Sequence, residues 1–584
     1  IGGALEGFKF TSPYGPEIRK WLKHGIGLHH AGLLPKYRVL VEQLTQQGLL
    51  KVICGTDTLG AGINMPIRTV LFTKLCKFDG QKTGILTARD FHQISGRAGR
   101  KGFDDKGWVV AQAPEHVIEN IKLDEKAAKD GKKSVKRKPP EKNFVNWDKQ
   151  TFIRLMHAQP ERLSSRFQVS HGMLLNVLSR KGDGCRAMQR LIHDSHETPK
   201  AKKEHIKRGW QLFRSLLERR IIEFIPRTDD GAYLRVNVEL QDDFSMDQTL
   251  SLYLLETIPL IDPQAPEYPL VLLTLVESIL EDPDIILRKQ LDKLKSQKMA
   301  EMKMAGIEYD ERLEELEKLE YPKPNREFVY STFNAFADKH PWVGQENIRP
   351  KSIAREMFEN FRSFSDYIRD YELQRAEGVL LRHLNSVFKV LAQTVPKAAK
   401  TEPVREMELY LGTMIRQVDS SLLDEWEKMR DPNYQRAEAR EIRPPGAEEA
   451  EKDVTHDLKA FTATIRNRVF SFLRGLVNED FEQALIHLSA QEDLEGQAWN
   501  ASRLSKALDD YYADHERICL DPNARNLRHT YVLPAEDKGS LRVQQMLVDP
   551  QEHNDWVAEF YVDIAKSRAA TEPHLQLIRI GPLK

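Results

Sequence analysis

The stretch Thr87–Gly102, TARDFHQISGRAGRKG, has the most informative pattern in this 584-residue sequence. Its spacing predicts a helix that begins near Thr87. Residues four and seven positions apart lie on one side of a helix, so Gln93, Arg97 and Arg100 would share a face. Two guanidinium groups and an amide on one face form a set of donors that suits the oxygens of a terminal phosphate.

Gly96 and Gly99 interrupt this stretch in a way that helix stability does not favour. In a helix interior each glycine costs about 1 kcal/mol relative to alanine. Because glycine has no side chain, the two positions leave room for another backbone or a ligand to approach closely. The stretch therefore predicts a phosphate-binding surface rather than an ordinary exposed helix.

Three runs of sequence resemble motifs of one family. QISGRAGRKG resembles the sixth motif of superfamily-two helicases, and in particular of the superkiller-type DExH-box RNA helicases. GIGLHHAGLLPKYR at Gly25–Arg38 and TDTLGAGINMPIRTVLF at Thr56–Phe72 resemble the fourth and fifth motifs, in the same order. The resemblance implies that residues 1–122 form the second RecA-like domain of an ATP-dependent RNA helicase, with RNA-degrading machinery as a partner.

The resemblance also implies roles for individual residues. Arg97 and Arg100 would act as arginine fingers on the γ-phosphate of ATP, with Gln93 beside them. Nucleotide contacts are expected at Asp57, Gly62 and Gly96. Contacts with the nucleic-acid strand are expected at His30, Thr56, Thr58 and Asn64. The residues from Thr56 to Asn64 have a second interpretation, because Gly, Asn, Asp and Thr also form ordinary strand-to-helix turns.

Two motifs of a complete ATPase do not occur in the sequence. There is no phosphate-binding GxxxxGK(S/T) motif and no Asp-Glu-x-His box. In the family both belong to a first RecA-like domain, which would bind most of the ATP and Mg²⁺. Because the sequence starts at Ile1 and reaches the fourth motif at once, we expect a fragment that carries half of an ATPase site and hydrolyses no ATP alone.

The order of apolar runs predicts an α/β domain. Runs at residues 25–29, 49–54, 69–73 and 108–111 alternate with helical segments, which is typical of a parallel sheet covered by helices on both faces. Ligands of such sheets bind at the carboxyl ends of the strands. We therefore expect Thr56–Thr58 and the Arg97 face at these ends.

Charge is distributed unevenly along the chain, although the formal net charge is zero. The first 227 residues contain 42 Lys and Arg and 22 Asp and Glu, whereas the remainder contains 45 and 65. The basic part favours contact with a polyanion, which the resemblance implies is single-stranded or partly duplex RNA. Solvated charge on long helices is the alternative explanation and suits the acidic part.

Composition argues against several other classes of protein. No apolar run approaches the length of a membrane-spanning helix, so no membrane contact is expected. The four cysteines include no CxxC pair, which indicates a reducing cytoplasm and argues against structural zinc. We expect no metal ligands.

The rest of the chain divides into further parts, which predicts a multidomain protein. Residues 123–143 are basic and contain two adjacent prolines, a composition typical of an exposed linker. Residues 144–248 combine helices with two alternating runs, which fits a winged-helix-like domain. Residues 249–400 predict a mainly helical bundle with a helical hairpin at 285–320. Residues 401–584, with an acidic break at 431–453, predict helices and then a small antiparallel sheet, hence an α+β domain.

The resemblance extends into this second part of the chain. Tyr371–Pro396 resembles the family's ratchet helices, which line the path of the translocating strand. This implies strand contacts for Arg375 and Arg382, seven residues apart on one predicted helical face, and ordinary solvation is the alternative. Most of the chain after about Ile285 is similar to an uncharacterised region attached to bacterial, mainly actinobacterial, helicases.

Three functions are consistent with the sequence. The first is the carboxyl-terminal portion of an ATP-dependent RNA helicase. The second is a non-catalytic RNA-binding or scaffold module. The third is a helicase of the same superfamily that acts on DNA.

Overall fold

The computed structural model describes residues 1–56, 67–78, 82–99, 104–130, 136–139, 144–180, 182–228, 231–236, 245–344, 346–430, 458–521, 524–535, 539–551, 553–570 and 572–583. The chain divides into an amino-terminal unit, Ile1–Arg166, and a carboxyl-terminal unit, Phe167–Lys584. In the part of the chain that the structure describes, no helix is both long enough and apolar enough to span a bilayer.

The amino-terminal unit alternates helices with short strands. Its helices are α1 (Gly15–Lys23), α2 (Pro35–Gln46), α3 (Ala88–Ser95), α4 (Glu115–Asp130) and α5 (Lys149–His157). Its strands are β1 (Ile26–His29), β2 (Val52–Gly55), β3 (Thr69–Phe72), β4 (Cys76–Phe78), β5 (Thr83–Ile85) and β6 (Trp108–Ala111).

Two parallel strand pairs confirm the α/β prediction. β1 pairs with β2, with Ile26 opposite Val52. β3 pairs with β6, with Thr69 opposite Trp108. All four strands lie at the predicted positions. β4 and β5 form an antiparallel hairpin that the sequence did not predict.

The prediction of helices on both faces of the sheet is wrong for β3 and β6 within the described residues. Their inner face contributes to a core formed by Phe72, Leu75, Leu86, Phe91, Trp147 and Leu155. On the opposite face, Leu71 is 57% exposed and Trp108 is 56% exposed. Because successive side chains of a strand point to opposite faces, this pair buries a single face here.

α4 extends further than the sequence predicted. Residues 123–130, expected to begin an exposed linker, form the second half of this helix. The segment LDEKAAKD is rich in residues with high helix propensity, which explains the difference. Most of its side chains are nevertheless exposed.

The carboxyl-terminal unit begins with three helices and a hairpin. These are α6 (His171–Leu178), α7 (Gly184–Asp194), α8 (Pro199–Glu218), β7 (Ile222–Phe224) and β8 (Leu234–Val236). β7 and β8 pair antiparallel as predicted, whereas α7 was not predicted. His171 joins α6 to α8, since its Nε2 lies 3.0 Å from Oγ of Ser215. Burial lowers the pKa of His171 to about 3, so the ring is neutral at physiological pH.

A long helical region follows. It contains α9 (Ser251–Thr257), α10 (Tyr268–Ser278), α11 (Asp284–Met304), α12 (Tyr309–Glu317), α13 (Arg326–Lys339), α14 (Ala354–Glu359), α15 (Phe364–Asp370), α16 (Glu377–Lys389), α17 (Glu402–Asp419) and α18 (Ser421–Arg430). α11 and α12 are in contact and form the predicted helical hairpin. Gly306 between them has a φ of +73°, which glycine adopts without a steric penalty.

A buried carboxylate organises this region. Glu277 of α10 is 0% exposed. It accepts the backbone N–H of Ile353 at 2.9 Å, of Ala354 at 2.8 Å and of Arg355 at 3.1 Å. Nε2 of His383 on α16 lies 3.0 Å from the same carboxylate. Because the first N–H groups of a helix have no partner within it, Glu277 completes the start of α14 and ties it to α10 and α16.

The chain ends in an α+β region, as predicted. Its elements are α19 (Leu458–Val477), α20 (Phe481–Ile486), α21 (Ala501–Tyr512), β9 (Thr530–Pro534), β10 (Ser540–Leu547), β11 (Trp556–Asp563), α22 (Ile564–Ala570) and β12 (His574–Pro582). The strands form one antiparallel sheet in the order β12-β11-β10-β9. Three of them were predicted, and β9 is an addition. The predicted acidic break at 431–453 lies outside the described residues.

Candidate functional site

The amino end of α3 is held by two caps. Thr87 accepts the backbone N–H of Asp90 at 3.1 Å, and its hydroxyl donates to the Asp90 carboxylate at 2.8 Å. Glu161, far away in sequence, accepts the backbone N–H of Ala88 at 2.9 Å and of Arg89 at 3.0 Å. The caps satisfy donors that have no partner within the helix.

Charge supports the same helix start. Nζ of Lys77 lies 2.7 Å from the Asp90 carboxylate. Burial alone would raise the pKa of Asp90, but hydrogen bonds from Lys77 and Thr87 and the charge of Lys77 hold it below its ordinary value. The backbone N–H groups of Arg89 and Ala88 lower the pKa of Glu161 as well. Both carboxylates are therefore anionic at neutral pH, and their negative charge interacts favourably with the positive amino end of the helix dipole.

The inner side of α3 packs on aromatic rings. Phe91 is 2% exposed and stacks on Phe72 of β3 with ring centroids 5.0 Å apart. It also meets Phe152 of α5 edge-on at 5.7 Å. Nε2 of His92 lies 2.9 Å from the backbone carbonyl of Ala158. These contacts fix α3 against β3 and α5.

α3 ends earlier than the sequence predicted. Its last residue is Ser95, and Gly96 follows as the cap. Gln93 is on α3 with an exposed side chain, whereas Arg97 is half-buried in the turn that follows. The prediction that Gln93 and Arg97 share a helical face is therefore wrong. Arg100 lies outside the described residues.

Backbone contacts explain the early end. Gly99 has a φ of +93°, a conformation that residues with a side chain rarely adopt. Its N–H donates to the carbonyl of Ile67 at 2.9 Å, and the preceding Ala98 pairs with Ile67 in a parallel bridge. A Cβ on Gly107 would lie 2.5 Å from the carbonyl carbon of Ala98. The predicted close approach at Gly99 is confirmed, and the approaching backbone is the chain's own.

The turn that carries Arg97 lies at the amino end of β3. Ile67 precedes β3, and Gly107 precedes β6. The prediction that the Arg97 face lies at a carboxyl end is wrong, because a helix that connects parallel strands returns the chain to the amino end of the next strand. The prediction is confirmed for Thr56, which directly follows β2 and donates its N–H to the His29 carbonyl at 3.3 Å.

His30 and Thr56 share the carboxyl edge of β1 and β2. His29, the last residue of β1, is buried with Nε2 3.0 Å from Glu42. Nδ1 of His30 accepts the N–H of Gly32 at 3.1 Å, so a neutral His30 carries its proton on Nε2. An N–H at this edge suits a phosphate oxygen. The other residues predicted for this stretch, Asp57, Thr58, Gly62 and Asn64, lie outside the described residues.

Arg375 and Arg382 in the carboxyl-terminal unit do not belong to one helix. Arg375 is exposed in a 3₁₀ turn, Gln374–Ala376. Arg382 is half-buried on α16. The prediction of a shared face is wrong, because a 3₁₀ turn has about 3.0 residues per turn and changes the register before α16 begins.

Glu161 is the main residue of the site that sequence reasoning did not find. It lies 73 positions from Ala88, and no local pattern connects the two. The Thr87-x-x-Asp90 spacing, by contrast, is a recognisable capping pattern. The predicted residues therefore fall into two groups in the amino-terminal unit: Gln93, Gly96 and Arg97 at the end of α3, and His30 and Thr56 at the β1–β2 edge.

The fold and these motifs are those of a helicase C-terminal domain. Residues 13–102 match the helicase conserved C-terminal domain. Residues 113–580 match the domain of unknown function DUF3516, and the chain belongs to this family.

Similar proteins confirm the resemblance to superkiller-type DExH helicases. ATP-dependent RNA helicase mtr4 of Schizosaccharomyces pombe is 34% identical over 209 residues, which cover 35% of this chain and 16% of that protein. Exosome RNA helicase MTR4 of Homo sapiens is 36% identical over 157 residues, 27% of this chain and 12% of that protein. Superkiller complex protein 2 of Mus musculus is 32% identical over 198 residues, 34% of this chain and 13% of that protein. The chain thus spans less than a fifth of each relative.

Proposed function

We propose that this chain is the carboxyl-terminal portion of an ATP-dependent RNA helicase. The observation that carries the proposal is that α3 is held at both ends. Arg97 follows a helix capped by Thr87 and Glu161, in a turn bonded to Ile67, within the residues that match the helicase domain. A guanidinium group on a preorganised support can stabilise the charge that develops on a transferring γ-phosphate.

ATP and Mg²⁺ would be bound mainly by a first RecA-like domain outside these 584 residues. Closure of the two domains brings Arg97 and Arg100 to the γ-phosphate, with Gln93 beside them and Asp57, Gly62 and Gly96 next to the nucleotide. Catalytic sets that are completed only by closure couple hydrolysis to movement. The chain alone therefore hydrolyses no ATP.

The proposed track is single-stranded or partly duplex RNA. The proposed contacts are His30, Thr56, Thr58 and Asn64 in the amino-terminal unit and Arg375 and Arg382 in the carboxyl-terminal unit. The first 227 positions contain 42 basic and 22 acidic residues. This surplus of positive charge supports a phosphate backbone as the ligand.

The remaining parts would support this motor. We assign residues 144–248 to a winged-helix-like brace, 249–400 to a ratchet-like bundle and 401–584 to a helicase-associated domain of a bacterial branch. The relatives' names include the exosome and the superkiller complex. We therefore propose RNA-degrading machinery as a partner of this chain. Four free cysteines support a cytoplasmic location.

The test is ATP hydrolysis by two proteins, this chain and a version extended to include the first RecA-like domain. Each is assayed with RNA and with DNA of the same sequence. We expect RNA-stimulated hydrolysis by the extended protein only, and salt-sensitive RNA binding by both. Stronger stimulation by DNA would favour a DNA helicase. An extended protein that binds RNA without hydrolysis would favour a scaffold.

A further inference from the structure

Four polar side chains converge at one end of the carboxyl-terminal sheet. His515 follows α21, and Asp549, His553 and Asp555 lie in the loop between β10 and β11. His515, Asp549 and His553 each offer a ligand atom, and these three atoms all lie within 4.8 Å of one another. Oδ1 of Asp555 lies 2.8 Å from Nε2 of His515. We propose that this cluster binds one divalent transition-metal ion, with Zn²⁺ as the best match.

Two hydrogen-bond acceptors face the ring nitrogens of His515. Its Nδ1 lies 3.2 Å from the backbone carbonyl of Tyr511, and its Nε2 lies 2.8 Å from the Asp555 carboxylate. Both partners only accept hydrogen bonds, but a neutral imidazole has a single N–H. If Nδ1 donates to the carbonyl, the lone pair of Nε2 faces an anionic oxygen. A metal ion bound to Nε2 and to the Asp555 carboxylate would give both groups a partner.

His515 is also oriented as a metal ligand would be. The residue is 8% exposed, and its ring stacks on Tyr511 with centroids 4.5 Å apart. A ligating histidine usually donates its other N–H to a backbone carbonyl or a carboxylate, which fixes the tautomer. The Tyr511 carbonyl occupies that position, so Nε2 is the nitrogen presented to the cluster.

Asp549 supplies a fixed negative ligand. It is 1% exposed and accepts the backbone N–H of Gln551 at 2.9 Å and of Asn554 at 3.1 Å. Nδ1 of His553 lies 3.1 Å from its Oδ1. The Gln551 N–H and His553 both face Oδ1, whereas only the Asn554 N–H among these contacts reaches Oδ2, so Oδ2 is the oxygen better placed to bind a cation.

Two imidazole nitrogens with two carboxylates suit zinc. Zn²⁺ binds histidine nitrogen at about 2.0–2.1 Å and carboxylate oxygen at about 2.0–2.2 Å, usually with four ligands in a tetrahedron. Ligand atoms of such a tetrahedron lie about 3.3 Å apart, so Asp555 would move slightly away from His515 while the wider separations close. These shifts fall on the exposed members of the cluster, His553 and Asp555. The ion would join the end of α21 to the β10–β11 loop, a structural role in which binding energy becomes folding energy.

The experiment compares His553→Ala with His193→Ala in the full chain. His193 is an exposed histidine 3.0 Å from Asp194, so it reproduces a His–Asp pair elsewhere in the same unit. Bound metal is removed from the chain with a chelator. Zinc binding is then measured by calorimetry, and the zinc content per chain by elemental analysis. Co²⁺ absorption reports the coordination geometry.

We expect one Zn²⁺ per chain in the wild type and in His193→Ala, with a higher melting temperature on binding. His553→Ala should bind at least roughly tenfold more weakly and lose the tetrahedral Co²⁺ spectrum. His553 is exposed, so the variant should fold. A wild type that binds neither metal, or a His553→Ala variant that binds as tightly as the wild type, would overturn the proposal.

Discussion

A glutamate distant in sequence caps a helix in each unit, but the surroundings of the two residues differ. Glu277 is fully buried and serves three backbone donors and a histidine. Glu161 is exposed and serves two backbone donors of α3. When a buried capping carboxylate is lost, the N–H groups that it accepted are left without a partner, because no water reaches them. When an exposed capping carboxylate is lost, water can accept those hydrogen bonds instead. The loss of Glu277 should therefore destabilise its whole unit, whereas the loss of Glu161 should loosen only the start of α3, which its other contacts still hold.

The cores of the two units show the same contrast. In the carboxyl-terminal unit, Leu380, Leu381 and Leu384 of α16 are all 0% exposed. In the amino-terminal unit, β3 and β6 leave Leu71 and Trp108 more than half exposed. The β3–β6 pair thus buries one face only, whereas α16 packs its leucines on a fully closed core.

Removal of the buried cap should have the largest effect on stability. Glu277→Ala leaves three N–H groups and His383 without their acceptor in the protein interior. We expect a loss of about 3–5 kcal/mol in the free energy of unfolding of the carboxyl-terminal unit, measured by urea denaturation. Glu281→Ala, an exposed neighbour, should change it by less than about 0.5 kcal/mol. If both substitutions lowered the free energy of unfolding equally, the buried hydrogen bonds of Glu277 would not be the source of its effect.

A methyl group at Gly107 should disturb the Arg97 turn. The added Cβ would meet the carbonyl carbon and oxygen of Ala98 at 2.5 Å, and backbone atoms cannot rotate away. We expect Gly107→Ala to cost about 1–3 kcal/mol and to lower ATP hydrolysis by the extended helicase more than RNA binding. Gly84→Ala is the matched control, because nothing lies within 4 Å of its added Cβ. Full activity of Gly107→Ala would disprove the packing of this turn.

Removal of the exposed cap should loosen α3 without unfolding the unit. In Glu161→Ala the N–H groups of Ala88 and Arg89 lose their acceptor, so hydrogen exchange at these two amides should accelerate by roughly tenfold. Glu115→Ala, an exposed carboxylate in the first turn of α4, should leave both amides unchanged. If Glu161→Ala lowered the free energy of unfolding of its unit as much as Glu277→Ala lowers that of the other unit, the contrast between the caps would be lost.

The smallest expected effect is a pH dependence at Asp90. Its pKa is lower in the folded chain than the value of about 3.9 in an unfolded chain. Its stabilising contribution is therefore complete above about pH 4 and is lost as the pH falls through the folded pKa. The contribution is small because the pair with Lys77 is partly exposed. Thermal melts of the wild type and Asp90→Asn should converge as the pH falls below about 4, and a constant difference between them would contradict the assignment.

The sequence predicted the parts of the fold that local patterns determine. The four parallel strands, the α11–α12 hairpin and the last antiparallel strands follow from apolar periodicity and turn residues. β9 and α7 were missed. The end of α3 was misplaced because the bridge between Ile67 and Ala98 is a tertiary contact that competes with helix propensity.

For the candidate sites, too, the sequence predicted what local patterns determine and missed the tertiary contacts. Arg97 and Thr56 were predicted from motifs that are contiguous in sequence, and their roles stay predictions. Glu161 acts across 73 positions, and His515 lies 34 positions before Asp549, so neither contact has a local signal. Metal ligands were not expected, because the cysteines form no CxxC pair and the histidines first considered, His24, His29 and His30, lie in or beside a helicase-like motif.

The most direct test is the rate of RNA-stimulated ATP hydrolysis by the extended helicase with Arg97→Ala, compared with Lys74→Ala as an exposed basic control in the same unit. If Arg97 acts on the γ-phosphate, its loss should lower the rate by about 10³-fold or more and leave RNA binding close to that of the wild type. Lys74→Ala should hydrolyse ATP at the wild-type rate. Unchanged hydrolysis in Arg97→Ala would contradict the role of the α3 turn as half of an ATPase site.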